Sequence, residues 1–164
     1  MPVLYLIRHA KSSWKQPELE DSKRPLNNRG ERDANEMARR LKLQNILPDF
    51  IISSPALRAR KTAEIIGSEL EYKENEIKYD WELFHASTNT LLNILKKVSP
   101  RFRVVFLIGH NPGLTYMANS LGNLEIMNIP TTGIVVLEFN ELWSGIEFGS
   151  GKLLSFDYPK KVKG

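Results

Sequence analysis

The chain has 164 residues, of which 41% are hydrophobic and 26% are charged, which suits one globular domain over residues 1–164 and argues against a disordered chain. Its formal net charge of +4 weakly favours anionic partners, such as a phosphorylated molecule or a nucleic acid. It has no cysteine, which excludes disulfides and thiolate chemistry.

The first apolar segment, residues 3–7, meets Arg8 directly. This segment is too short for a signal peptide or a membrane span, and no basic leader precedes it. We therefore expect a cytoplasmic protein without a membrane partner.

Apolar runs alternate with segments of helical periodicity in the first half of the chain. Residues 3–7 predict a buried strand, residues 10–28 a polar loop, and residues 30–43 a helix with one apolar face. The pattern repeats with a strand at residues 49–53 and a helix at residues 57–70.

The second half continues the alternation, and residues 103–108 form its strongest buried-strand signal. The predicted elements are a short strand at 77–79, a helix at 90–98, a strand at 103–108, a helix at 114–121, a strand at 133–139 and an edge strand at 152–158. Strands that alternate with helices imply an α/β fold, here a three-layer α/β/α sandwich with a mostly parallel central sheet.

Three of the predicted strands end abruptly in polar side chains. The first strand delivers Arg8 and His9, the second is followed closely by Arg58, and the strand at 103–108 delivers His110. In open α/β sheets, ligands bind beyond the carboxyl ends of the strands. We therefore expect these side chains to converge on one crevice although they are far apart in the sequence.

Two imidazoles and two guanidinium groups suit phosphoryl transfer. An unprotonated imidazole is a competent nucleophile at neutral pH, and the arginine fork fits tetrahedral oxyanions. The arginines should also keep the His9 imidazole neutral by like-charge repulsion, so we expect activity to fall on acidification. On this sequence argument, a rate that stays flat down to about pH 5 would count against His9 as the nucleophile.

Four sequence blocks carry a resemblance to a known family. They are Leu-Ile-Arg-His-Ala-Lys-Ser at 6–12, Leu-Asn-Asn-Arg-Gly-Glu-Arg-Asp-Ala at 26–34, the Ser-Ser-Pro segment at 53–63, and Gly-His-Asn-Pro-Gly at 109–113. In this order they resemble the histidine phosphatase superfamily, the phosphoglycerate mutase-like enzymes. The short length and the forms of the first and last blocks resemble the SixA-like phosphohistidine phosphatases in particular.

The resemblance implies a role for each matching residue. His9 would be the nucleophile that becomes transiently phosphorylated, and Arg8, Arg58 and His110 would form the phosphate pocket. No metal or other cofactor is implied. Many relatives use a carboxylate between the second and third motif strands as the general acid, and Glu82 is our hypothesis for that group, with Asp80 as the second candidate. SixA-like members are reduced in this region, so the absence of a dedicated acid stays open as an alternative.

Four further residues are candidates for substrate binding. Lys11 and Ser12 follow the nucleophile and would lend donors to a phosphate, although loop solvation explains them equally well. Asn111 follows the second histidine, and Thr132 precedes a predicted strand beside the crevice. Strand propensity explains the threonine nearly as well as a substrate contact does.

The function we expect is hydrolysis of a phosphorylated substrate, with phosphohistidine on a protein as the first choice. Two alternatives stay open: a phosphatase of small phosphate esters on the same pocket, and a non-catalytic phosphate-binding or nucleic-acid-binding module suggested only by the net charge of +4. The expected partner is a phosphorylated protein or small molecule rather than a nucleic acid. Inorganic phosphate or sulfate would be able to occupy the site.

Overall fold

The structure is a computed structural model that describes residues 1–161, so the last three residues of the predicted domain lie outside it. The strands are β1 (Val3–Arg8), β2 (Phe50–Ser53), β3 (Lys78–Tyr79), β4 (Val104–Gly109), β5 (Ile134–Glu138) and β6 (Lys152–Asp157). The helices are α1 (Asn28–Leu43), α2 (Leu57–Glu69), α3 (Thr88–Lys96) and α4 (Gly113–Gly122). Within the described residues, none of the helices has the length and apolar composition needed to cross a bilayer.

The six strands form one sheet in the order β3-β2-β4-β1-β5-β6. The first four in this order pair in parallel, whereas β5 and β6 add antiparallel at the β1 side. The prediction of a mostly parallel sheet is therefore confirmed, and β6 occupies the edge position that its alternating pattern predicted.

Each central strand is buried on both faces. In β1, Leu4 and Leu6 pack into the core that includes the apolar side chains of α3 and α4. Tyr5 and Ile7 point to the other face, into the core that includes α1 and α2. The sheet thus lies between two helical layers, which confirms the predicted α/β/α sandwich.

Two helices begin two residues earlier than the apolar periodicity indicated, because polar side chains cap them. Asn27 accepts a hydrogen bond from the Gly30 backbone N–H at 2.8 Å, and α1 begins at Asn28. Ser87 accepts one from the Thr90 backbone N–H at 3.1 Å in the same way, at the start of α3. Such caps satisfy N–H groups that have no partner within the helix.

The loop after β1 packs directly on the first turn of α1. The Lys11 carbonyl accepts a hydrogen bond from the Asn27 N–H at 3.0 Å. A Cβ atom added at Gly30 would lie 2.1 Å from that same carbonyl oxygen. Only glycine fits this approach, which holds the segment following His9 against the helix.

Replacing Gly30 with alanine is therefore expected to destabilise the fold by about 2 kcal/mol or more, because backbone rather than a flexible side chain has to move. Urea denaturation measures the change. Gly67→Ala is the matched control within a helix, since its new Cβ would find its nearest neighbour at 3.5 Å, an ordinary contact. Equal destabilisation of the two variants would contradict the steric explanation.

Candidate active site

The register of the sheet brings the predicted residues to one edge. Arg8, the last residue of β1, pairs with Gly109 at the end of β4, and Ser53 at the end of β2 pairs with Ile108. The residues that follow these strand ends, among them His9 and His110, therefore lie side by side. The two imidazole rings have their centroids 5.1 Å apart and are both buried.

The two ring nitrogens of His9 have different roles: one is hydrogen-bonded to the backbone, and the other carries the lone pair. Its Nδ1 lies 2.7 Å from the Ala10 carbonyl oxygen, which can only accept, so Nδ1 carries the proton. The lone pair is then on Nε2, and the Arg58 Nε–H donates to it at 3.3 Å. The Ala10 N–H in turn donates to the Thr62 hydroxyl at 2.9 Å, which anchors this segment to α2.

Burial lowers the pKa of the His9 imidazole to about 4. The hydrogen bond to the Ala10 carbonyl raises it in part, whereas the positive charges of Arg58, Arg8 and Arg24 lower it further. The imidazole is therefore neutral at neutral pH. The sequence led us to expect this from the repulsion of the arginines, but burial is the larger cause. A pKa near 4 also moves the loss of activity to more acidic pH than we expected from the sequence.

We expect kcat/KM to stay constant from neutral pH down to about pH 5 and to fall below that, as His9 gains a proton near pH 4 and its lone pair is lost. Initial rates between pH 3.5 and 8, with two substrates of different phosphate pKa values, test this. If the pH at which the rate falls differs between the two substrates, the fall reports protonation of the substrate phosphate and not of the enzyme. A substrate-independent limb close to the ordinary histidine pKa, about 6.5, would contradict the buried neutral state of His9.

His110 is held by Ser54 at the end of β2. Its Nε2 lies 2.7 Å from the Ser54 hydroxyl oxygen, which also accepts the Ala56 backbone N–H at 3.2 Å. Burial, followed by the charges of His9 and Arg58, lowers the pKa of His110 to about 3. When the serine hydroxyl donates to Nε2, the neutral ring carries its proton on Nδ1 and presents a donor there.

Three buried polar side-chain atoms at this site have no hydrogen-bond partner among residues 1–161. They are the His110 Nδ1, the Arg8 Nε and the Thr132 hydroxyl. Thr132 lies next to His9, because the Thr132 N–H donates to the Arg8 and His9 carbonyls at 3.0 and 3.1 Å. Buried polar atoms without partners are costly, and such a cluster is typical of a site that a polar ligand completes.

Sequence reasoning missed two charged residues beside the site, Asp21 and Arg24. The Asp21 carboxylate accepts the Arg58 Nη2–H at 2.9 Å and the Arg24 Nε–H at 3.1 Å. The side chain of Arg24 is buried, although its segment has the composition of a solvated loop. Nothing in the local pattern distinguishes these charges from ordinary loop charges, because only the folded loop brings them to Arg58.

The other predicted binding residues fall in different places. Ser12 is buried and its hydroxyl accepts the Arg24 Nη1–H at 2.6 Å, whereas Lys11 is exposed. The Asn111 side-chain amide donates to the Ile129 carbonyl at 2.9 Å, which also accepts the Arg8 Nη1–H at 2.8 Å. Asn111 thereby supports the segment that Arg8 contacts, and its substrate contact stays a prediction.

Glu82 lies on a short 3-10 helix, Trp81–Leu83, and is exposed. Within residues 1–161, no hydrogen bond or ion pair joins its carboxylate to His9 or His110. The segment reaches the site through Phe84, whose ring contacts the His110 ring at a centroid distance of 5.2 Å. The role of Glu82 as a general acid therefore stays a prediction.

Comparisons with known proteins show the family and the fold. The sequence profile described as histidine phosphatase superfamily (branch 1) matches residues 4–85. An uncharacterised chloroplastic protein of Arabidopsis thaliana is 30% identical over 148 residues, which cover 85% of this chain and 68% of that protein.

Solved structures show the same fold over almost the whole chain. A protein assigned as the phosphohistidine phosphatase SixA of Agrobacterium tumefaciens is 27% identical, with a TM-score of 0.82 over 96% of this chain and 98% of that one. A protein histidine phosphatase SixA complexed with tungstate has the same TM-score at 23% identity, over 96% and 97% of the two chains. These similarities support a phosphatase activity, and the chain belongs to the histidine phosphatase superfamily as a SixA-like member.

Proposed function

We propose that this protein hydrolyses phosphohistidine on a protein through a phospho-His9 intermediate. One observation carries the proposal: a buried imidazole with its Nδ1 proton engaged by the Ala10 carbonyl and its Nε2 lone pair facing a guanidinium group. An imidazole in this state is a nucleophile, and the adjacent cation attracts the anionic group that it attacks.

The reaction would proceed in two displacements at phosphorus. The His9 Nε2 lone pair forms a bond to phosphorus while the substrate's nitrogen–phosphorus bond breaks. The departing nitrogen keeps the electron pair and takes a proton from water or, under the Glu82 hypothesis, from that carboxyl group. Water then attacks phospho-His9, loses a proton, and releases inorganic phosphate as the bond to Nε2 breaks. Arg8, Arg58 and the His110 Nδ1–H would stabilise the charge on the phosphoryl oxygens in both steps.

Exposed aromatic side chains around the site support a protein rather than a small molecule as the substrate. Trp14 is 68% exposed, and the centroid of its ring lies 3.5 Å from the Arg24 guanidinium carbon. Trp81 is 60% exposed and packs on Phe84, the residue that contacts His110. Tryptophan is enriched at protein interfaces, where it buries a large apolar area.

A general acid matters more for some leaving groups than for others. A phosphoramidate nitrogen departs more easily than an ester oxygen, so it needs less help from an acid. If Glu82 supplies the proton, Glu82→Gln should slow turnover of an alkyl phosphate ester by about a hundredfold and leave phosphohistidine turnover within about twofold. Steady-state assays on both substrates measure this. Unchanged ester turnover in Glu82→Gln would remove the hypothesis.

The proposed function is tested by offering the protein three substrates: a phosphohistidine-bearing protein, a small phosphate ester and a phosphorylated sugar. The reaction is quenched rapidly at alkaline pH, and intact-mass analysis looks for one added phosphoryl group. Wild type and His9→Ala are compared. We expect an acid-labile, alkali-stable phosphate on wild type only, and the highest kcat/KM with the phosphohistidine protein.

Each of the other possible results would favour a different function of the protein. A better rate with the small ester or the sugar phosphate would replace the protein substrate but keep the His9 chemistry. Absence of labelling and turnover with all three substrates would contradict the enzyme proposal. Anion binding that persists in His9→Ala would then favour the phosphate-binding module, and salt-sensitive oligonucleotide binding would favour the nucleic-acid module.

A further inference from the structure

Arg58 is held on two sides of its guanidinium group. On one side its Nε–H donates to the His9 Nε2 at 3.3 Å. On the other side Nη1 donates to the Asp21 backbone carbonyl at 2.6 Å and Nη2 donates to the Asp21 carboxylate at 2.9 Å. Two contacts to one residue fix both the position and the plane of the fork.

Asp21 is itself fixed although its side chain is 47% exposed. Its second carboxylate oxygen accepts the Arg24 Nε–H at 3.1 Å. Arg24 is buried, and its Nη1 donates to the Ser12 hydroxyl at 2.6 Å. A continuous chain of charged hydrogen bonds therefore runs from Ser12 through Arg24 and Asp21 to Arg58.

The Asp21 carboxylate lies between two positive charges, those of Arg58 and Arg24. Burial lowers the pKa of the Arg58 guanidinium and the neighbouring positive charge of Arg24 lowers it further, whereas Asp21 raises it. Partial burial raises the pKa of the Asp21 carboxyl, but the hydrogen bonds and charges of the two arginines outweigh this and hold it below its usual range. Asp21 is therefore ionised at neutral pH and screens the repulsion between the two guanidinium groups.

We propose that Asp21 is a positioning residue that holds the Nε–H edge of Arg58 against the His9 Nε2, where the phosphoryl group is transferred. This inference rests on the roles proposed above for His9 and Arg58. Asp21 binds the far side of the guanidinium group, so the Nε–H is free to change its acceptor. It donates to the His9 Nε2 lone pair before the reaction and to a phosphoryl oxygen once the bond between Nε2 and phosphorus forms. Asp21 acts through Arg58 and does not itself contact the reacting atoms.

A double-mutant cycle tests this inference, because two residues that act through one another have non-additive effects. The proteins are wild type, Asp21→Asn, Arg58→Ala and the double variant. Two quantities are measured for each: the Kd for tungstate by calorimetry, and the rate of phospho-His9 formation from phosphoramidate. Glu36→Gln is the matched control, since the Glu36 carboxylate also bridges two arginines, Arg39 and Arg40, but beside Asp157 at the end of β6.

We expect Asp21→Asn to weaken tungstate binding and slow phosphorylation about 10- to 100-fold, because a displaced donor no longer meets the phosphoryl oxygen. In the Arg58→Ala background the same change should have an effect below about twofold. Asp21→Glu keeps the charge and should lose only about 5- to 10-fold, a partial rescue that a merely structural role would not produce. Glu36→Gln should match wild type in both measurements.

Three results would overturn the inference. An Asp21→Asn effect of equal size in the presence and absence of the arginine would show that Asp21 acts independently of Arg58. Tighter tungstate binding in Asp21→Asn would show that the carboxylate competes with the anion for the guanidinium group. If Asp21→Asn does not fold, as judged by the loss of cooperative unfolding, Asp21→Glu serves in its place. Wild-type affinity for tungstate in Asp21→Glu would then show that the position of the carboxylate does not matter. Because tungstate affinity needs no turnover, the cycle gives an answer even if the phosphohistidine substrate proves wrong.

Discussion

Replacing His9 with alanine is expected to lower kcat/KM by at least about a thousandfold and to abolish the covalent phospho-enzyme. The variant retains the arginines and His110, so we expect it still to bind an anion, but it lacks the His9 lone pair that would attack phosphorus. Among residues 1–161, the His9 Nε2 is the acceptor of the Arg58 Nε–H, at 3.3 Å, and alanine at position 9 removes it. Rapid-quench labelling and steady-state turnover with one substrate measure the two effects.

Two controls separate loss of the nucleophile from loss of the fold. His85→Asn changes the exposed third histidine, whose positive φ of 61° asparagine tolerates, and should stay within about threefold of wild type. His9→Ala should also bind tungstate with near wild-type affinity. Residual labelling of His9→Ala at the wild-type stoichiometry would show that another residue is the nucleophile.

Replacing Arg8 with alanine is expected to lower kcat/KM by about 10²- to 10³-fold, the usual cost of removing one preorganised donor to transition-state charge. Its Nη1 is anchored to the Ile129 carbonyl at 2.8 Å, while its buried Nε has no partner among the described residues. The anchored fork therefore presents its remaining donors without reorganisation. Stopped-flow phosphorylation and tungstate affinity together measure the loss.

Arg8→Lys distinguishes fork geometry from charge alone. A lysine keeps the positive charge but cannot satisfy the Ile129 carbonyl and a phosphoryl oxygen in the same plane, so it should recover less than about a tenth of the lost activity. Arg101→Ala, a change at an exposed arginine beside Phe102, should leave the rate unaltered. Full recovery in Arg8→Lys would contradict a role for the planar guanidinium group.

The central strands were predictable because each is a short, wholly apolar run. The runs at β1, β2 and β4 end in polar residues, and the parallel register places those ends together. The convergence of Arg8, His9, Arg58 and His110 could therefore be predicted without coordinates. The helix starts at Asn28 and Thr88 were predicted two residues late, because side-chain caps extend a helix beyond its apolar stripe.

The antiparallel direction of β5 and β6 was not predictable from the same evidence. A buried parallel strand and a central antiparallel strand have the same apolar composition, so the pattern of residues 134–138 carries no direction. The contacts of Asn111 were equally inaccessible, because they depend on a loop that returns to the site from residues 128–129.

The α/β class, the apolar strands and the polar residues that follow them could be predicted from the sequence, because these properties follow from local periodicity and from a general rule about sheet edges. The three-dimensional fold was needed to find that Asp21 and Arg24 join the site, that Ser54 holds His110 and that a side chain at position 30 would collide with backbone. The contacts from Asp21 to Arg58 and from Ser54 to His110 join segments far apart in the chain, and they are strengthened by burial, which local sequence patterns do not reveal.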